Sequence, residues 1–499
     1  MSGCAQDAVG LGLWFAGWLI PRRVAGARGT CAVKLLDATP LIFVAVVLFL
    51  ASGRPVFAGA IVFALGAGFA FADRTMRDVL REPVVFTALS ELPHVFTHPH
   101  LYLPFAGTGL VIGGAAAAML AALGLLLAEP AAMPPHPFAA IAVAGIVMAL
   151  LWRTGREPWL GMAARALRRL QPSGEPFADA VRLGPVAMLI THGIIARAER
   201  PVRHARLAAP PIISVARAQA RPVILVQCES FFDARRALPR LSRDFLAGYD
   251  TACHGGTYGC LTVPAWGANT MRAEFAVLTG IDEAALGYDR FNPYHALARG
   301  RIASQVWRLR AAGYRTICLH PFDRWFFRRD LAMPALGFEV FLGRETLGGS
   351  RTPPYLSDPE FARHILRVLD AEGPRCFIFA ITMGNHGPWL NGRAEWEAYL
   401  EGLRGSAEML RFLINGLEQR GGDPVLGLYG DHLPSLPRVF AHLGFDDWRS
   451  DYAIWSPTAQ ISGRRDLAAH ELGRAVVDIA LAPRNTAASD AVVPASHGA

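Results

Sequence analysis

Long apolar stretches before residue 155 constrain the fold of this chain more than any other feature of its sequence. The clearest lie at 40–53, 55–72, 101–128 and 137–152, with a shorter one at 9–20. A helix needs roughly 20 mostly apolar residues to cross a bilayer, and neighbours in a bundle can shield the ends of shorter ones. Because 52% of all residues are hydrophobic and only 18% are charged, part of the chain must lie in lipid. We therefore predict a transmembrane helical domain of four or five spans over residues 1–155.

The charges do not decide on which side of the membrane the rest of the chain lies. The segments 21–34 and 153–170 are both basic, and the positive-inside rule alone would place the second of them in the cytoplasm. The stretch 183–196 is either one more crossing or an amphipathic segment on the membrane surface. We interpret residues 156–220 as a basic, amphipathic linker, and the parity of the crossings stays open.

The net charge of +8 comes almost entirely from arginine, since Lys34 is the only lysine. Together with abundant alanine and glycine, this bias is typical of a GC-rich coding sequence. No arginine-rich run is interleaved with aromatic residues, so we predict no nucleic-acid-binding surface.

The cysteines do not indicate a disulfide framework, because the chain has only seven of them in 499 residues. Cys253 and Cys260 could close a short loop in an oxidising compartment, or they could be two free thiols. The sequence has no C-x-x-C pair, and a structural zinc ribbon is therefore not indicated.

From about residue 221 the pattern changes to short apolar runs separated by polar, glycine- and proline-containing stretches, which is typical of an α/β domain. The predicted buried strands are 222–227, 314–319, 375–382 and 424–429. Helical spacing at 358–372 and 405–420 precedes the last two strands. We predict a catalytic domain over 221–485 and a disordered tail over 486–499.

Each predicted strand is followed at once by polar side chains that can do chemistry. These residues are Glu229 after the first strand, His320 and Asp323 after the second, Asn385 and His386 after the third, and Asp431 and His432 after the fourth. In open α/β sheets ligands bind beyond the carboxyl ends of the strands, so we expect a shared site. Alone, each Glu or His would be read as a capping, solvated or hydrogen-bonded structural residue. Glu, Asp and His ligands without Cys suit Mn²⁺, Mg²⁺ or Zn²⁺.

The nucleophile that such a site needs is predicted at Thr270, which follows a small, flexible run and precedes a helix-compatible stretch. One interpretation is that Thr270 is an N-cap, with Glu274 nearby as its partner. The other is that a phosphate meets the helix N-terminus where the Thr270 hydroxyl lies. A divalent cation would then lower the pKa of the hydroxyl and activate it.

Five segments in a fixed order carry a resemblance to a known family. They are Glu229, "GANTMRAEF" (267–275), "HPFDRWFFRRD" (320–330), "MGNHGPW" (383–389) and "YGDH" (429–432). Over about residues 221–440 the chain resembles the lipoteichoic acid synthase-like phosphoglycerol transferases of the alkaline phosphatase/sulfatase superfamily. The resemblance implies a multi-span α-helical membrane domain followed by an α/β domain with a mixed central sheet and helices on both faces.

The resemblance also implies roles for individual residues. The metal would be held by Glu229, Thr270, Asp431 and His432. Thr270 would be the nucleophile, His386 would lie near the transferred phosphate, and Arg329 would contact the glycerophosphate. Mn²⁺ is the expected ion, with Mg²⁺ or Zn²⁺ as alternatives.

One departure from the family pattern affects glycerol recognition. Two residues before Arg329 the synthases have a tryptophan, whereas this chain has Phe327, with Trp325 close by. We therefore include Phe327 and Trp325, with Arg329 and His386, among the expected substrate-binding residues.

The implied reaction moves glycerophosphate from phosphatidylglycerol to an envelope glycan through a glycerophospho-threonine. The donor lies in the lipid bilayer, which explains a multi-pass anchor in the inner membrane, and the family context implies a catalytic domain on the periplasmic, extracytoplasmic side. The arginine- and alanine-rich composition favours a Gram-negative source and hence a periplasmic glucan as acceptor.

Four other functions compete with this interpretation. A phosphoethanolamine transferase would share the nucleophile and the anchor, and a phosphodiesterase would use water as the acceptor. A sulfatase would need a C/S-x-P-x-R motif, and Cys260 is followed instead by "LTVPAW". A non-catalytic envelope-binding protein is disfavoured because Glu229, Thr270, Asp431 and His432 are all present.

Overall fold

The computed structural model of the chain describes residues 3–211, 220–298, 300–389, 394–458 and 463–483. The predicted tail at 486–499 lies outside the described residues. The helices of the N-terminal part are α1 (Gly3–Ala25), α2 (Cys31–Ser52), α3 (Pro55–Leu80), α4 (Ala88–Thr97), α5 (Pro99–Ala106), α6 (Thr108–Ala128), α7 (Pro137–Thr154), α8 (Trp159–Arg168), α9 (Pro176–Leu183) and α10 (Pro185–Leu207).

Four of these described helices, α2, α3, α6 and α7, are long and apolar enough to cross a membrane. Helix α1 lies directly against α3 and runs parallel to it, because Gly10 meets Gly59 and Gly17 meets Gly66. A Cβ atom on Gly66 would lie 1.9 Å from the Gly17 carbonyl oxygen, so only glycine permits this approach. The predicted helical membrane region is thus confirmed, with α1 packed along one of its four candidate spans.

The stretch 183–196 contains the last residue of α9 and the first half of α10, and neither helix is among the described helices that could cross a membrane. Asp37 of α2 accepts hydrogen bonds from the Val186 and Ala187 amides at the start of α10, both at 2.9 Å. Farther along α10, Arg200 pairs with Asp289 at 2.7 Å. Helix α10 therefore connects the membrane helices to the second part of the chain. The domain boundaries at 155, 220 and 485 stay predictions.

The second part is built on a mixed sheet. Its strands are β1 (Val223–Cys228), β2 (Gly256–Thr262), β3 (Arg315–Leu319), β4 (Val340–Leu342), β5 (Cys376–Ile381), β6 (Val425–Gly430), β7 (Ser450–Trp455), β8 (Gly463–Arg464) and β9 (Leu467–Ala468). Within the described residues the order is β4-β3-β5-β1-β6-β7-β2-β8, with β9 also paired to β2. Strands β4, β3, β5, β1 and β6 are mutually parallel, and β7 is antiparallel to both β6 and β2.

Helices cover both faces of this sheet. They are α11 (Ala247–His254), α12 (Thr270–Thr279), α13 (Pro293–Leu297), α14 (Gln305–Ala311), α15 (Arg329–Leu336), α16 (Arg344–Leu347), α17 (Asp358–Glu372), α18 (Glu395–Arg420), α19 (Pro437–Leu443) and α20 (Ala469–Leu481). Ile224 and Val226 of β1 join the core that contains α17 and α18, whereas Val223 and Leu225 join the opposite core with α12 and α20. Burial on both faces explains why β1 is a continuous apolar run.

All four predicted strands are confirmed as β1, β3, β5 and β6. The predicted helix at 358–372 is α17, and 405–420 forms the second half of α18. The fold-class prediction of membrane helices followed by a mixed α/β sheet is therefore confirmed.

The end of α3 contacts the second part of the chain next to the start of α12. Arg272 donates a hydrogen bond from Nη2 to Glu82 Oε2 at 2.8 Å, and the Ser435 hydroxyl donates to the Val79 carbonyl at 2.6 Å. These contacts hold the membrane helices against the carboxyl ends of the central strands.

Candidate metal centre and active site

The sheet order brings the ends of the four predicted strands together, because β3, β5, β1 and β6 are neighbours. Cys228 of β1 lies opposite Gly430 of β6, so Glu229 and Asp431 leave the sheet side by side. Parallel strands all end at one edge, and that edge is where a ligand site forms in such sheets.

Glu229, Asp431 and His432 form a buried cluster at this edge. One ligand atom from each residue lies within 4.8 Å of the other two. His432 Nε2 is 3.2 Å from Asp431 Oδ2 and 3.7 Å from Glu229 Oε1. Two carboxylates and an imidazole at this spacing are a suitable ligand set for a divalent cation.

The hydrogen bonds of the cluster leave its inner atoms available for a cation. His432 Nδ1 lies 2.9 Å from the Leu433 carbonyl oxygen, which only accepts, so Nδ1 carries the proton and Nε2 presents a lone pair. Asp431 Oδ1 accepts from the Ser230 and His432 amides, whereas the buried Oδ2 has no hydrogen-bond partner among the described residues. Burial and the neighbouring Asp431 raise the pKa of Glu229 above its usual range. A cation would supply the missing positive charge, so the residues present fit a metal.

Thr270 is the first residue of α12, and its hydroxyl oxygen lies 3.4 Å from His432 Nε2. The N-cap is Asn269, which has the left-handed φ of 64°, so the interpretation of Thr270 as an N-cap with Glu274 as its partner is wrong. The hydroxyl therefore faces the cluster, beside the first backbone N–H groups of the helix.

Glu274, one turn after Thr270, holds Arg329 in a fully buried ion pair. Arg329 donates from Nε to Glu274 Oε1 at 3.0 Å and from Nη2 to Oε2 at 2.9 Å. The same carboxylate accepts from Tyr294 Oη at 2.7 Å and from Gln227 Nε2 at 3.0 Å. Helix α12 thus carries the predicted nucleophile and the residue that orients Arg329. Sequence reasoning missed this role of Glu274, although its i,i+4 spacing from Thr270 was a usable signal.

His320 lies behind Arg329 and is not one of the three clustered ligands. Its Nδ1 donates to the Ile381 carbonyl at 3.3 Å, and its Nε2 accepts from Arg329 Nη1 at 3.3 Å. Burial and the Arg329 charge hold the pKa of His320 well below its usual range. A neutral His320 therefore supports the guanidinium.

His386 lines the same cavity as Thr270 and Arg329. Its Nδ1 donates to the Gly387 carbonyl at 2.6 Å, so Nε2 is the nitrogen that can accept a proton. Burial lowers the pKa of His386 and favours its neutral form.

The two aromatic residues before Arg329 are placed differently. Phe327 lines the cavity, and its ring centroid lies 5.3 Å from the Arg329 guanidinium carbon. Trp325 is 51% exposed and is not among the lining residues, so the structure does not bring it to the predicted substrate site.

The prediction that every strand-end residue converges needs correction at two positions. The Asp323 carboxylate pairs with Arg344, with Arg351 at 2.8 Å and with His98 of the N-terminal part at 3.1 Å. Asn385 accepts a hydrogen bond from Trp389 Nε1 at 3.0 Å. Neither side chain lines the cavity: Asp323 is held by three basic residues, and Asn385 Oδ1 is held by Trp389 while its buried Nδ2 has no hydrogen-bond partner among the described residues.

Cys253 and Cys260 are free thiols in the described structure. Burial raises the pKa of Cys253 to about 12, and burial raises that of Cys260 as well. Cys260 lies within β2 and belongs neither to the cluster nor to the cavity lining. The structure therefore gives no support to a sulfatase built on this cysteine.

Comparisons with known proteins match both parts of the chain. A sequence model described as Sulfatase matches residues 223–472. The capsular polysaccharide biosynthesis protein RkpI of Rhizobium meliloti is 30% identical over 434 residues, which cover 81% of this chain and 78% of that protein. A putative cyclic beta-1,2-glucan modification protein of the same organism is 29% identical over 243 residues, which cover 45% of this chain and 37% of that protein.

A solved structure is similar over nearly the whole chain. It is the integral membrane protein lipooligosaccharide phosphoethanolamine transferase A (EptA) from Neisseria meningitidis, with 13% identity and a TM-score of 0.50. The similarity covers 94% of this chain and 95% of that structure. At this identity the likeness shows the fold, which here includes the membrane helices as well as the α/β domain.

Proposed function

The chain belongs to the sulfatase family, and on this premise we propose that it is a membrane-anchored, metal-dependent phosphoglycerol transferase. It would move glycerophosphate from phosphatidylglycerol to an envelope glycan such as a periplasmic glucan. The observation that carries the proposal is the Thr270 hydroxyl at the N-terminus of α12, 3.4 Å from His432 in a buried three-ligand cluster.

In the proposed site Glu229, Asp431, His432 and Thr270 would hold the cation, for which we propose Mn²⁺, with Mg²⁺ or Zn²⁺ as alternatives. When bound, the cation would lower the pKa of the Thr270 hydroxyl and neutralise phosphate charge. The protein's own contribution is to aim that hydroxyl, together with the helix N-terminus, at the phosphorus atom.

The reaction would run in two displacements. Thr270 Oγ1 forms a bond to phosphorus, the bond to the diacylglycerol oxygen breaks, and a glycerophospho-threonine remains. His386 Nε2 accepts the threonine proton and returns it to the leaving oxygen. An acceptor hydroxyl then attacks phosphorus, His386 takes its proton, and threonine leaves with that proton. Arg329 stabilises the charge that develops on the phosphate oxygens.

The glycan acceptor is supported by one relative, which is described as a putative cyclic beta-1,2-glucan modification protein. Phosphatidylglycerol as donor is supported by the resemblance of the segment 320–330 to the phosphoglycerol transferases. Phe327 in place of the family tryptophan still gives an aromatic face next to Arg329.

Phosphoethanolamine transfer is the second candidate, and one observation favours it. The carboxylates of Glu82 and Glu91 line the cavity in front of Thr270. Glu82 is already paired with Arg272, whereas the Glu91 carboxylate accepts a hydrogen bond from Asn292 and its buried Oε2 lies 3.8 Å from His94 Nε2, beyond hydrogen-bond distance. A cationic ethanolamine head group would be attracted to such a carboxylate.

We propose that the protein lies in the inner membrane with its catalytic domain in the periplasm. The start of α2 contacts α10, which leads to the catalytic part, whereas the start of α3 lies at the opposite end beside Gly10 of α1. If α1, α2, α3, α6 and α7 all cross, the N-terminus and the catalytic domain lie on opposite sides of the membrane. The basic segments 21–34 and 153–170 then lie on the periplasmic side, against the positive-inside rule.

The decisive experiment measures the mass of the Thr270 peptide after the purified protein, in detergent with Mn²⁺, is incubated with phosphatidylglycerol. We expect a glycerophosphoryl mass gain on Thr270 and release of diacylglycerol, both absent in Thr270→Ala. A phosphoethanolamine adduct obtained with phosphatidylethanolamine alone would establish the second candidate. No adduct from either lipid would refute a phospholipid donor.

A further inference from the structure

A cavity of about 450 Å³ lies between the candidate active site and the N-terminal helices. One end is polar and contains Thr270, His432 and Arg329. The rest of its wall is mainly apolar and includes Phe69, Leu80, Leu92, Leu101 and Phe105 from α3, α4 and α5. The cavity therefore has one end that suits a phosphate and another that suits hydrocarbon.

Helix α4 forms one wall of this cavity and also has an apolar outer surface. Leu89, Leu92 and Phe96 are 72%, 49% and 78% exposed, and their spacing of three and four residues places them along one side of the helix. Leu89 and Leu92 also line the cavity. The exposed row is contiguous with the cavity, because Leu89 and Leu92 belong to both.

The position of α4 in the fold indicates whether its exposed apolar row faces water or lipid. Helices α4 and α5 connect α3 to α6, two of the candidate spans, and α5 packs against both. His98, between α4 and α5, is held by Asp323 of the catalytic part at 3.1 Å. The helix pair therefore lies where the membrane spans end and the catalytic domain begins, which is the depth of the lipid interface.

We propose that this cavity binds the glyceride end of the donor phospholipid, which enters sideways from the bilayer past α4. The proposal rests on the proposed function and deepens it, because it assigns a site to the part of the donor that leaves. The phosphodiester would lie at Thr270, and the first part of the acyl chains would lie between α3, α4 and α5. When Thr270 displaces the diacylglycerol oxygen, the neutral, apolar product lies in a cavity that opens to lipid.

A membrane lipid fits these observations better than a soluble donor. A hydrophilic donor would leave its polar groups against an apolar wall without hydrogen-bond partners. The exposed row on α4 would also have no partner in water, whereas both features are satisfied when one lipid molecule spans from leaflet to active site.

The first test is photo-crosslinking, which does not require turnover. Thr270→Ala protein is reconstituted in vesicles with phosphatidylglycerol that carries a diazirine on an acyl chain close to the glycerol. We expect labelled peptides from 69–105, with labelling reduced by excess unlabelled phosphatidylglycerol. Labelling confined to the outer surfaces of α2, α6 and α7 would overturn the proposal.

The second test fills the cavity. Ala72 lies on α3 in the lining, and Ala117 is exposed on α6 outside it, so Ala72→Phe and Ala117→Phe form a matched pair. We expect Ala72→Phe to raise KM for dioleoyl phosphatidylglycerol roughly tenfold, the equivalent of about 1.4 kcal/mol. KM for the water-soluble dihexanoyl lipid should change much less, and Ala117→Phe should change neither.

Three results would contradict the proposal. Equal effects of Ala72→Phe on both donors would indicate general damage to the site, and no effect on either would show that the chains lie elsewhere. A change confined to KM for the acceptor would identify the occupant as a lipid-linked acceptor. Failure of the proposed function is separate, since it would appear as the absence of an adduct on Thr270 while the crosslinking still reports on the cavity.

Discussion

Glu274 offers the sharpest test of how the site is built. Its carboxylate accepts hydrogen bonds from Gln227, Tyr294 and Arg329, and it is the ion-pair partner of the Arg329 guanidinium. Glu274→Gln keeps the size of the side chain but removes its charge. It also turns an N–H₂ group toward donors, so the hydrogen bonds of the network cannot all be kept.

The cost follows from the burial of the pair, whose side chains are 0% exposed for Glu274 and 2% for Arg329. Removing one partner of a buried ion pair lowers the free energy of unfolding by about 3–5 kcal/mol. We expect a loss near the lower end of this range, because glutamine keeps one acceptor oxygen. At roughly 2–4 °C per kcal/mol for a domain of this size, 3 kcal/mol lowers the melting temperature by about 6–12 °C. Activity should fall as well, since an unpaired Arg329 leaves its position.

A double-mutant cycle separates the pair from general damage. Thermal unfolding and transfer rates are measured for Glu274→Gln, Arg329→Met and the double variant. Once Arg329 is absent, the charge of Glu274 has no guanidinium to balance, so the second substitution should cost much less than the first. Tyr294→Phe is the matched control, because it removes one hydrogen bond to the same carboxylate without a charge and should cost about 1 kcal/mol. Additive losses, or an unchanged melting temperature in Glu274→Gln, would refute the reasoning.

Further predictions concern the metal, the proton acceptor and the topology. Asp431→Asn should abolish retention of Mn²⁺ after dialysis, measured by elemental analysis, while the far-ultraviolet circular dichroism stays unchanged; retained metal would exclude Asp431 as a ligand. Because burial lowers the pKa of His386, its proton-accepting form persists to lower pH than for an ordinary histidine. The acid limb of the pH–kcat profile should therefore lie below about pH 6.5 and disappear in His386→Asn. Cys4 and Cys31 are both exposed and lie at the start of α1 and α2. An impermeant maleimide applied to cells with a permeabilised outer membrane should label Cys31 but not Cys4, with each Cys→Ser variant as control, and the reverse result would place the catalytic domain in the cytoplasm.

The membrane region, the four central strands and the approach of Glu229, Asp431 and His432 to one another could be predicted from the sequence for a common reason. Apolar length decides whether a helix can cross a bilayer, and continuous apolar runs decide which strands are buried on both faces. Parallel strands end at one edge, so Glu229, Asp431 and His432 had to come close once β1 and β6 became neighbours. Each of these inferences depends on a few consecutive residues or on a general rule of sheet geometry.

Other features depend on partners that are distant in the sequence. Asp323 reads as a candidate site residue until His98, 225 positions away, is placed beside it. Thr270 can be interpreted as an N-cap or as a nucleophile until His432, 162 positions away, is placed 3.4 Å from its hydroxyl.

The sequence by itself determined which segments are buried in lipid or in the sheet and which side chains can reach the strand ends, since local apolarity and strand geometry control both. Only the tertiary structure decided that Glu274 orients Arg329 and that Trp325 lies outside the cavity. It also decided that residues of α3, α4 and α5 form part of the cavity wall. These features depend on packing between segments that are far apart in the sequence. The energy of a contact depends on distances in space, and the order of the segments along the chain does not give those distances.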